Sequence, residues 1–430
     1  MVPPDYETDA SVQPYRMSIE HQASRSCRTK KARPLGYVWY CSIALFFTLS
    51  SWVLILQQIN FDLAVERGLV VPDVVNIALT LENFWIQGGL LQWSNPFIGI
   101  TIFYGWTWFL HPALCYAENV VLIMASIAMF RRVGLQKLKA PSWTILGLLG
   151  NPYLVLAMPG PNKEIPLLLL TLYLVDCLLR DDRRWWSALG FCALMYTLRD
   201  GYGLFLMLCV CSLWVLDKRE RHLPAMMLGL LATAACLFGP LASIAPVLGR
   251  NLAIYQDLIS SQPVGGLASA LALDPLSTLD GLTLYGLRLM YNLLSMALFP
   301  VLHNQEGQVY WIGLGYWLFG ILILAALLGC ALRTQSNSRS DRHRRLGAAL
   351  GLCVWFMVSL SLFVQPRYLM PILPIAFAAL GTVSSRSRWL CISTAVAISL
   401  TAILINQVLE RASLEVGPEQ FATPPYIWQS

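Results

Sequence analysis

Charged residues are scarce in this sequence. Only 13% of its 430 residues are Asp, Glu, Lys or Arg, against roughly 25% in an average soluble protein. Apolar residues make up 57% of the chain, and its mean hydropathy is +0.58. This composition excludes a disordered chain and a water-soluble globular enzyme. Because a membrane span needs about 20 mainly apolar residues, the sequence predicts a membrane protein with many spans.

Several other signals are missing. Most of the 11 cysteines lie inside apolar runs, and none has zinc-ligand spacing with a histidine, so no metal site is indicated. No phosphate-binding loop for ATP is present. The net charge of +6 does not indicate nucleic-acid binding, because 23 of the 30 basic residues are divided among six short segments between apolar stretches.

The N-terminal residues are polar, and the first apolar run is too long for a cleavable signal peptide. We therefore predict a disordered cytoplasmic arm over 1–35, with a signal anchor as the first span at about 36–57. One integral membrane domain follows to residue 408, and residues 409–430 form an extracytoplasmic tail. Further apolar stretches lie at 96–114, 117–130, 142–158, 165–179, 185–198, 202–216, 223–247, 309–332, 346–364, 368–384 and 389–408.

Basic loops predict the orientation, because short loops rich in Lys and Arg remain cytoplasmic. The basic segments are 1–35, 131–139, 180–184, 217–222, 333–345 and 385–388. The intervening connections then fall outside, at 57–95, 159–164, 199–201, 248–307, 365–367 and the C-terminal tail. This alternation requires an odd number of crossings between 57 and 131, and a surface or re-entrant helix at 282–302.

The predicted fold is therefore all-α, a polytopic bundle of about eleven transmembrane helices, with thirteen as the upper alternative. Interfacial helices are expected in the outer loops, above all at 58–95, which is too charged for a span. The predicted location is the plasma (inner) membrane, with several passes and a cytoplasmic N-terminus.

Three of the seven basic residues outside those segments lie in very short outer connections: Lys163, Arg199 and Arg367. A charge close to an apolar flank costs several kcal/mol unless it is paired or hydrated. The repetition of this cost on one predicted face indicates a shared anionic ligand. Arginine suits phosphate because its guanidinium donates two parallel hydrogen bonds.

Carboxylates accompany these cations. Glu164 follows Lys163, Asp200 follows Arg199, and the first outer loop offers Asp62 and Glu66. We predict a polar cavity at the outer leaflet in which one carboxylate acts as general base. The alternative is that the pairs Lys163–Glu164 and Arg199–Asp200 only anchor helix ends at the interface.

Two further residues complete the candidate phosphate-binding set. Tyr368 follows Arg367, and Arg250 lies in the mixed stretch after residue 248. For Arg250 the alternative is a solvated face without a ligand.

Three short motifs resemble a known family. RYLMPILP at 367–374 resembles an element near the last spans of many polyprenyl-phosphate-dependent glycosyltransferases of the GT-C superfamily. NPYLVLAMPGPNKEIPLLLL at 151–170 resembles the loop-plus-Lys-acid element of bacterial polysaccharide membrane proteins, which include O-antigen and exopolysaccharide polymerases. RDGYG at 199–203 is similar to the element that follows in such proteins.

The resemblance implies sugar transfer outside the membrane, from a donor on polyprenyl phosphate or diphosphate. It implies that a first-loop acid is the base, with Asp62 the best match and Glu66 the second, and that Arg367 neutralises the leaving phosphate. This sequence departs from the family in lacking a paired Asp-Glu or Asp-x-Asp motif in that loop, and in having no large soluble C-terminal domain.

The function predicted first is a membrane glycosyltransferase of cell-surface polysaccharide biosynthesis. A repeat-unit polymerase, a transporter or flippase of an anionic lipid-linked substrate, and a non-catalytic scaffold are the alternatives. Expected partners are the polyprenyl-linked donor, a glycan or lipid-linked acceptor, membrane lipid and, as a further candidate, the polysaccharide assembly machinery; nucleic acid is not expected. A divalent cation is a candidate cofactor, and no other is indicated.

Overall fold

The structure is a computed structural model, and all secondary structure in the part of the chain that it describes is helical. It describes residues 36–60, 63–64, 69–70, 77–78, 81, 98–111, 113–180, 184–215, 283, 311–331, 346, 350–351, 354 and 366–408. The predicted N-terminal arm, the span at 223–247, the mixed stretch 248–307 except residue 283, and the C-terminal tail lie outside these residues.

The α-helices, in chain order, have the following bounds: α1 Tyr37–Ile59, α2 Ile98–Leu110, α3 Leu114–Phe130, α4 Leu146–Leu149, α5 Pro152–Ala157, α6 Glu164–Leu178, α7 Trp185–Leu198, α8 Asp200–Val215, α9 Trp311–Ala331, α10 Leu373–Gly381 and α11 Ser385–Val408. A π-helical segment, Arg131–Lys137, continues α3, and 3₁₀ segments at Ser142–Ile145 and Pro366–Ile372 precede α4 and α10.

Two of these helices are long and apolar enough to cross a membrane by themselves, Tyr37–Ile59 and α3 with its π-helical extension, Leu114–Lys137. Both expose apolar side chains along their length, including Leu45 and Trp52 on α1 and Val121 on α3. Large exposed apolar side chains on long helices are typical of a surface that contacts lipid. The other described helices do not by themselves show the predicted number of spans.

Helix α6 lies at the centre of the bundle. Apart from Lys163 before it, nearly every residue from Glu164 to Leu178 is buried, so this helix is apolar all round rather than amphipathic. Its 15 residues extend about 22 Å at the usual rise of an α-helix. The two ionised side chains on it, Glu164 and Asp176, lie near its opposite ends. They define the two ends of the bundle, here named the Glu164 end and the Asp176 end.

At the Asp176 end, three cations surround one buried carboxylate. Asp176 Oδ1 lies 3.1 Å from Arg132 Nε and 2.7 Å from Lys137 Nζ, and Oδ2 lies 2.9 Å from Arg180 Nη2. The Lys137 ammonium also donates to the Asp176 carbonyl at 3.0 Å. These contacts join the segments 131–139 and 180–184, which the charge pattern places on one side of the membrane.

Other segments meet at the same end. Trp39 Nε1, near the start of α1, donates to the Ser142 carbonyl at 2.8 Å. The Arg388 guanidinium lies 5.3 Å from the ring centroid of Trp143. The start of α1, the turn after residue 140 and the start of α11 therefore share the Asp176 end with the basic segments.

The apolar stretch 142–158, which hydropathy reads as one span, is broken. It forms a 3₁₀ segment, α4 and α5, because Gly150 and Pro152 interrupt the helix. Asn151 caps α5 by accepting a hydrogen bond from the Tyr153 N–H at 3.0 Å. The broken segment still runs from the Asp176 end to the Glu164 end.

Helix α2 packs against α3 and α7 at the Glu164 end. Near its start, a Cβ on Gly99 would lie 2.6 Å from the backbone of Leu198 at the end of α7. Further along, Tyr104 and Thr107 bond to Asn119 and Glu118 near the start of α3. The predicted stretch 96–114 is thus a 13-residue helix, and its contacts join α3 to α7.

The hairpin of α7 and α8 depends on a glycine in the RDGYG motif. A Cβ on Gly203 would lie 2.1 Å from the Tyr196 N and 2.7 Å from the Cys192 carbonyl oxygen, whereas a Cβ on Gly201 would meet nothing within 4 Å. Gly203 therefore permits the two helix backbones to touch.

We expect Gly203→Ala to destabilise the folded protein by about 1–3 kcal/mol, because the backbones of α7 and α8 must move apart. Gly201→Ala is the matched control, in the same helix with open space around it. Thermal unfolding of both variants in detergent measures the difference. Equal melting temperatures for the two variants would contradict this account of the hairpin.

Candidate anion-binding site at the Glu164 end

A buried asparagine fixes the loop that leads to α6. The Asn119 Nδ2 donates to the carbonyl oxygens of Met158 and Gly160, both at 2.9 Å, and its Oδ1 accepts from the Tyr104 hydroxyl at 2.7 Å. All the polar atoms of this buried amide thus have partners, as burial in an apolar bundle requires. The loop is thereby attached to α2 and α3.

A second asparagine closes the loop on itself. Asn162 Nδ2 donates to the carbonyl oxygens of Ala157 and Gly160 at 3.0 Å, and its Oδ1 accepts from the Ile165 N–H at 2.9 Å. The last bond satisfies one of the free N–H groups in the first turn of α6. As a result, the GPNKE motif has one defined conformation, and Lys163 and Glu164 are held at the start of the helix.

Glu164 is buried and fully engaged. It is 1% exposed. Its Oε1 lies 3.3 Å from Arg199 Nη2, and its Oε2 accepts a hydrogen bond from the Lys163 backbone N–H at 3.1 Å. A carboxylate at a helix N-terminus is also stabilised by the helix dipole. Glu164 therefore pairs with a cation 35 residues away in the sequence.

Arg199 joins three segments of the chain. It lies in extended backbone between α7 and α8, with φ −153° and ψ 98°. Its guanidinium contacts Glu164 on α6 and lies 4.6 Å from the ring centroid of Tyr368 in the 3₁₀ segment before α10. Arginine over an aromatic face is attracted by the ring quadrupole. Its side chain is 19% exposed, so the group is still accessible to a ligand.

This arrangement suits an anion. Only one of the five N–H donors of Arg199 is used by Glu164, and a planar guanidinium held by a carboxylate and a ring is oriented in advance. The half-buried Lys163 begins the helix next to Glu164 and adds a second positive charge. Both carboxylate oxygens of Glu164 already have a partner, one an ion pair and the other a hydrogen bond. The role of Glu164 in this geometry is therefore to position Arg199.

A carboxylate that the motif search did not select lies at the same end. The half-buried Glu118 accepts a hydrogen bond from the Thr107 hydroxyl through Oε2 at 2.6 Å. Within the described part of the chain it forms no ion pair with a Lys or Arg. The sequence signal that could have identified Glu118 was its position as an ionisable residue inside an apolar run.

The remaining predicted residues are placed as follows. Asp200 is the first residue of α8, and Arg367 precedes Tyr368 in the 3₁₀ segment; the structure describes their backbones and not their side chains. Asp62, Glu66 and Arg250 lie outside the described residues. The structure therefore brings Glu164, Arg199 and Tyr368 into contact, with Lys163 adjacent and the backbones of Asp200 and Arg367 next to members of the cluster.

Metal ligands do not cluster in the described residues: no three or more His, Cys, Asp or Glu side chains there could hold an ion together. Comparison with known proteins finds no family model that matches this chain, and no curated protein or solved structure that is similar to it.

Proposed function

We propose that this protein is an integral membrane glycosyltransferase with about eleven spans, in the plasma (inner) membrane, that uses a donor linked to polyprenyl phosphate or diphosphate. Its N-terminus and the Asp176 end face the cytoplasm, and the Glu164 end faces outward. One observation carries the proposal. Lys163–Glu164, Arg199 and Tyr368, which are far apart in the sequence, meet at the end opposite to the basic segments.

The phosphate of the donor binds to Arg199, Lys163 and Arg367. When the sugar leaves, negative charge develops on the phosphate oxygen, and oriented cations stabilise that charge more strongly than they stabilise the bound donor. Glu164 and Tyr368 hold the Arg199 guanidinium in place before the donor arrives. The cost of reorienting a cation during the reaction is thereby avoided.

The transfer itself is a single displacement. A carboxylate takes the proton of the acceptor hydroxyl, the hydroxyl oxygen forms a bond to the anomeric carbon, and the bond from that carbon to the phosphate oxygen breaks. The configuration at the anomeric carbon is inverted. Asp62, Glu66 and Asp200 are base candidates from the sequence, and Glu118 joins them because it is half-buried and unpaired with cations among the described residues.

Alanine variants of the three cations test the function. We expect Lys163→Ala, Arg199→Ala and Arg367→Ala each to reduce surface glycan in the native host, measured with the carrier-linked glycans that accumulate. The matched control is Arg386→Ala, which removes an exposed arginine at the Asp176 end. Full glycan synthesis in all three variants, with normal protein levels, would leave these residues only structural roles.

The carrier-linked products also separate the two forms of glycosyl transfer. A truncated repeat unit identifies a transferase that adds one sugar, whereas complete single units without longer chains identify a polymerase. Complete chains retained on the inner leaflet would instead identify a flippase.

We expect Glu118→Gln to lower the rate of transfer by about 100-fold or more, which is the usual contribution of a general base. Binding of polyprenyl phosphate to the purified variant should be unchanged, because Glu118 is not one of the proposed phosphate-binding residues. Thr107→Val is the companion variant and should lower the rate less, since it removes the hydroxyl that contacts Glu118 and the Tyr104 carbonyl but keeps the carboxylate itself. Full activity of Glu118→Gln would show that Glu118 is not the general base and would leave Asp62, Glu66 and Asp200 as the candidates.

A further inference from the structure

The basic residues at the Asp176 end outnumber the acidic residues that could neutralise them. The sequence of 131–139 and 180–184 contains seven Lys or Arg and two Asp. One further acid, Asp176, bonds to three of these cations, Arg132, Lys137 and Arg180. Because Asp176 is buried, it fixes the cations from the inside and leaves their outer surfaces to another partner.

Several side-chain donors at this end have no partner among the described residues. Arg132 uses Nε for Asp176, its side chain is still 47% exposed, and its two terminal nitrogens bond to no residue that the structure describes. The side chains of Arg131, Lys139 and Arg184 likewise form no hydrogen bond or ion pair with a described residue, and Lys139 and Arg184 are exposed. Lys139 also has a left-handed backbone, with φ 53°, where the chain turns after the π-helical segment.

Large aromatic side chains accompany these cations. Trp186, two residues after Arg184, is 77% exposed, and Trp389, next to Arg388, is 66% exposed. Tryptophan is enriched at the level of lipid headgroups, where the ring contacts the acyl region and the indole N–H is hydrated. Exposed Trp beside Lys and Arg side chains is therefore the pattern of a surface in contact with headgroups.

We propose that the Asp176 end binds the phosphate headgroups of anionic phospholipids through Arg131, Arg132, Lys139 and Arg184, with Trp186 inserted beside them. Basic pockets between transmembrane helices bind such headgroups, and each Lys or Arg near an anionic membrane surface adds to the attraction. Asp176 contributes by orienting Arg132 for phosphate. This surface is independent of the glycosyl-transfer proposal, since it lies at the other end of the bundle.

The full-length protein, purified in detergent, provides the test. Thermal unfolding is measured with added phosphatidylglycerol, with phosphatidylcholine and with inorganic phosphate alone, and phosphatidylglycerol should raise the melting temperature most. In the variant Arg131→Gln/Arg132→Gln/Arg184→Gln, the apparent affinity for phosphatidylglycerol should fall by about fivefold for each cation removed.

The matched control is Arg339→Gln/Arg342→Gln/Arg344→Gln, which removes the same charge from the basic segment 333–345. The proposal predicts that this control keeps most of the lipid effect. Equal losses in both triple variants would show a diffuse charge effect and overturn the proposed surface. An equal response to inorganic phosphate would overturn the lipid as the partner.

A third variant keeps the experiment informative if the glutamines impair folding. Arg131→Lys/Arg132→Lys/Arg184→Lys preserves the charge and should retain most of the response to phosphatidylglycerol. Loss of the response in this folded lysine variant would contradict a headgroup site that depends on positive charge.

Discussion

Replacing Arg199 with glutamine is expected to destabilise the folded protein by about 3–5 kcal/mol, because it leaves the Glu164 carboxylate buried without its cation. Glu164 is 1% exposed and would keep the hydrogen bond from the Lys163 backbone N–H, at 3.1 Å. The stacking of the guanidinium on Tyr368 is lost as well. Thermal or chemical unfolding in detergent measures the effect.

The double variant Arg199→Gln/Glu164→Gln provides the control. Removing both charges eliminates the uncompensated carboxylate, so the double variant should be more stable than Arg199→Gln alone. Under the proposed function it should nevertheless bind polyprenyl phosphate more weakly, because one of the three phosphate-binding cations is absent. If both variants lost the same stability, the contact between Glu164 and Arg199 would contribute nothing to the fold.

The second large effect is expected at the opposite end. Asp176→Asn should destabilise the protein by about 3–5 kcal/mol, since one buried carboxylate there compensates Arg132, Lys137 and Arg180. The amide keeps the shape and loses the charge, so the three cations repel one another. Added salt should recover part of the stability by screening this repulsion.

The measurement is the melting temperature of Asp176→Asn at low and high ionic strength. Thr171→Val, which removes the buried hydroxyl of the same helix from its contact with Tyr202 at 3.2 Å, is the uncharged comparison. Thr171→Val should lose less stability than Asp176→Asn, and its loss should not depend on the salt concentration. A salt-independent loss in Asp176→Asn would contradict an electrostatic origin.

The sequence predicts the central helices closely. The stretches 165–179, 185–198 and 202–216 correspond to α6, α7 and α8, because each apolar run is bounded by charged residues or glycine. Hydropathy measures only composition along the chain, so it could not predict which helices pack against one another. For α2 those contacts are with Leu198 on α7 and Asn119 on α3.

The candidate site was predictable in part. The cost of a charge beside an apolar flank selected Lys163, Glu164 and Arg199 from the sequence. The pairing of Glu164 with Arg199 was not predictable, because it depends on how α6 and α7 pack. Glu118 was missed because its apolar neighbours place it within a predicted span, and its partner Thr107 lies on another helix.

The spacing of the two acids on α6 has a consequence for the membrane in the proposed orientation. Glu164 and Asp176 are 12 residues apart, so the core between them offers an apolar layer at most about 18 Å thick, whereas the hydrocarbon region of a bilayer is about 30 Å thick. The long helices α1 and α3 can accommodate such a mismatch by tilting, but the charged residues near both ends of α6 cannot move into the acyl chains. In the proposed orientation we therefore expect the bilayer to thin around the core, and lipids with short acyl chains to surround this protein most readily.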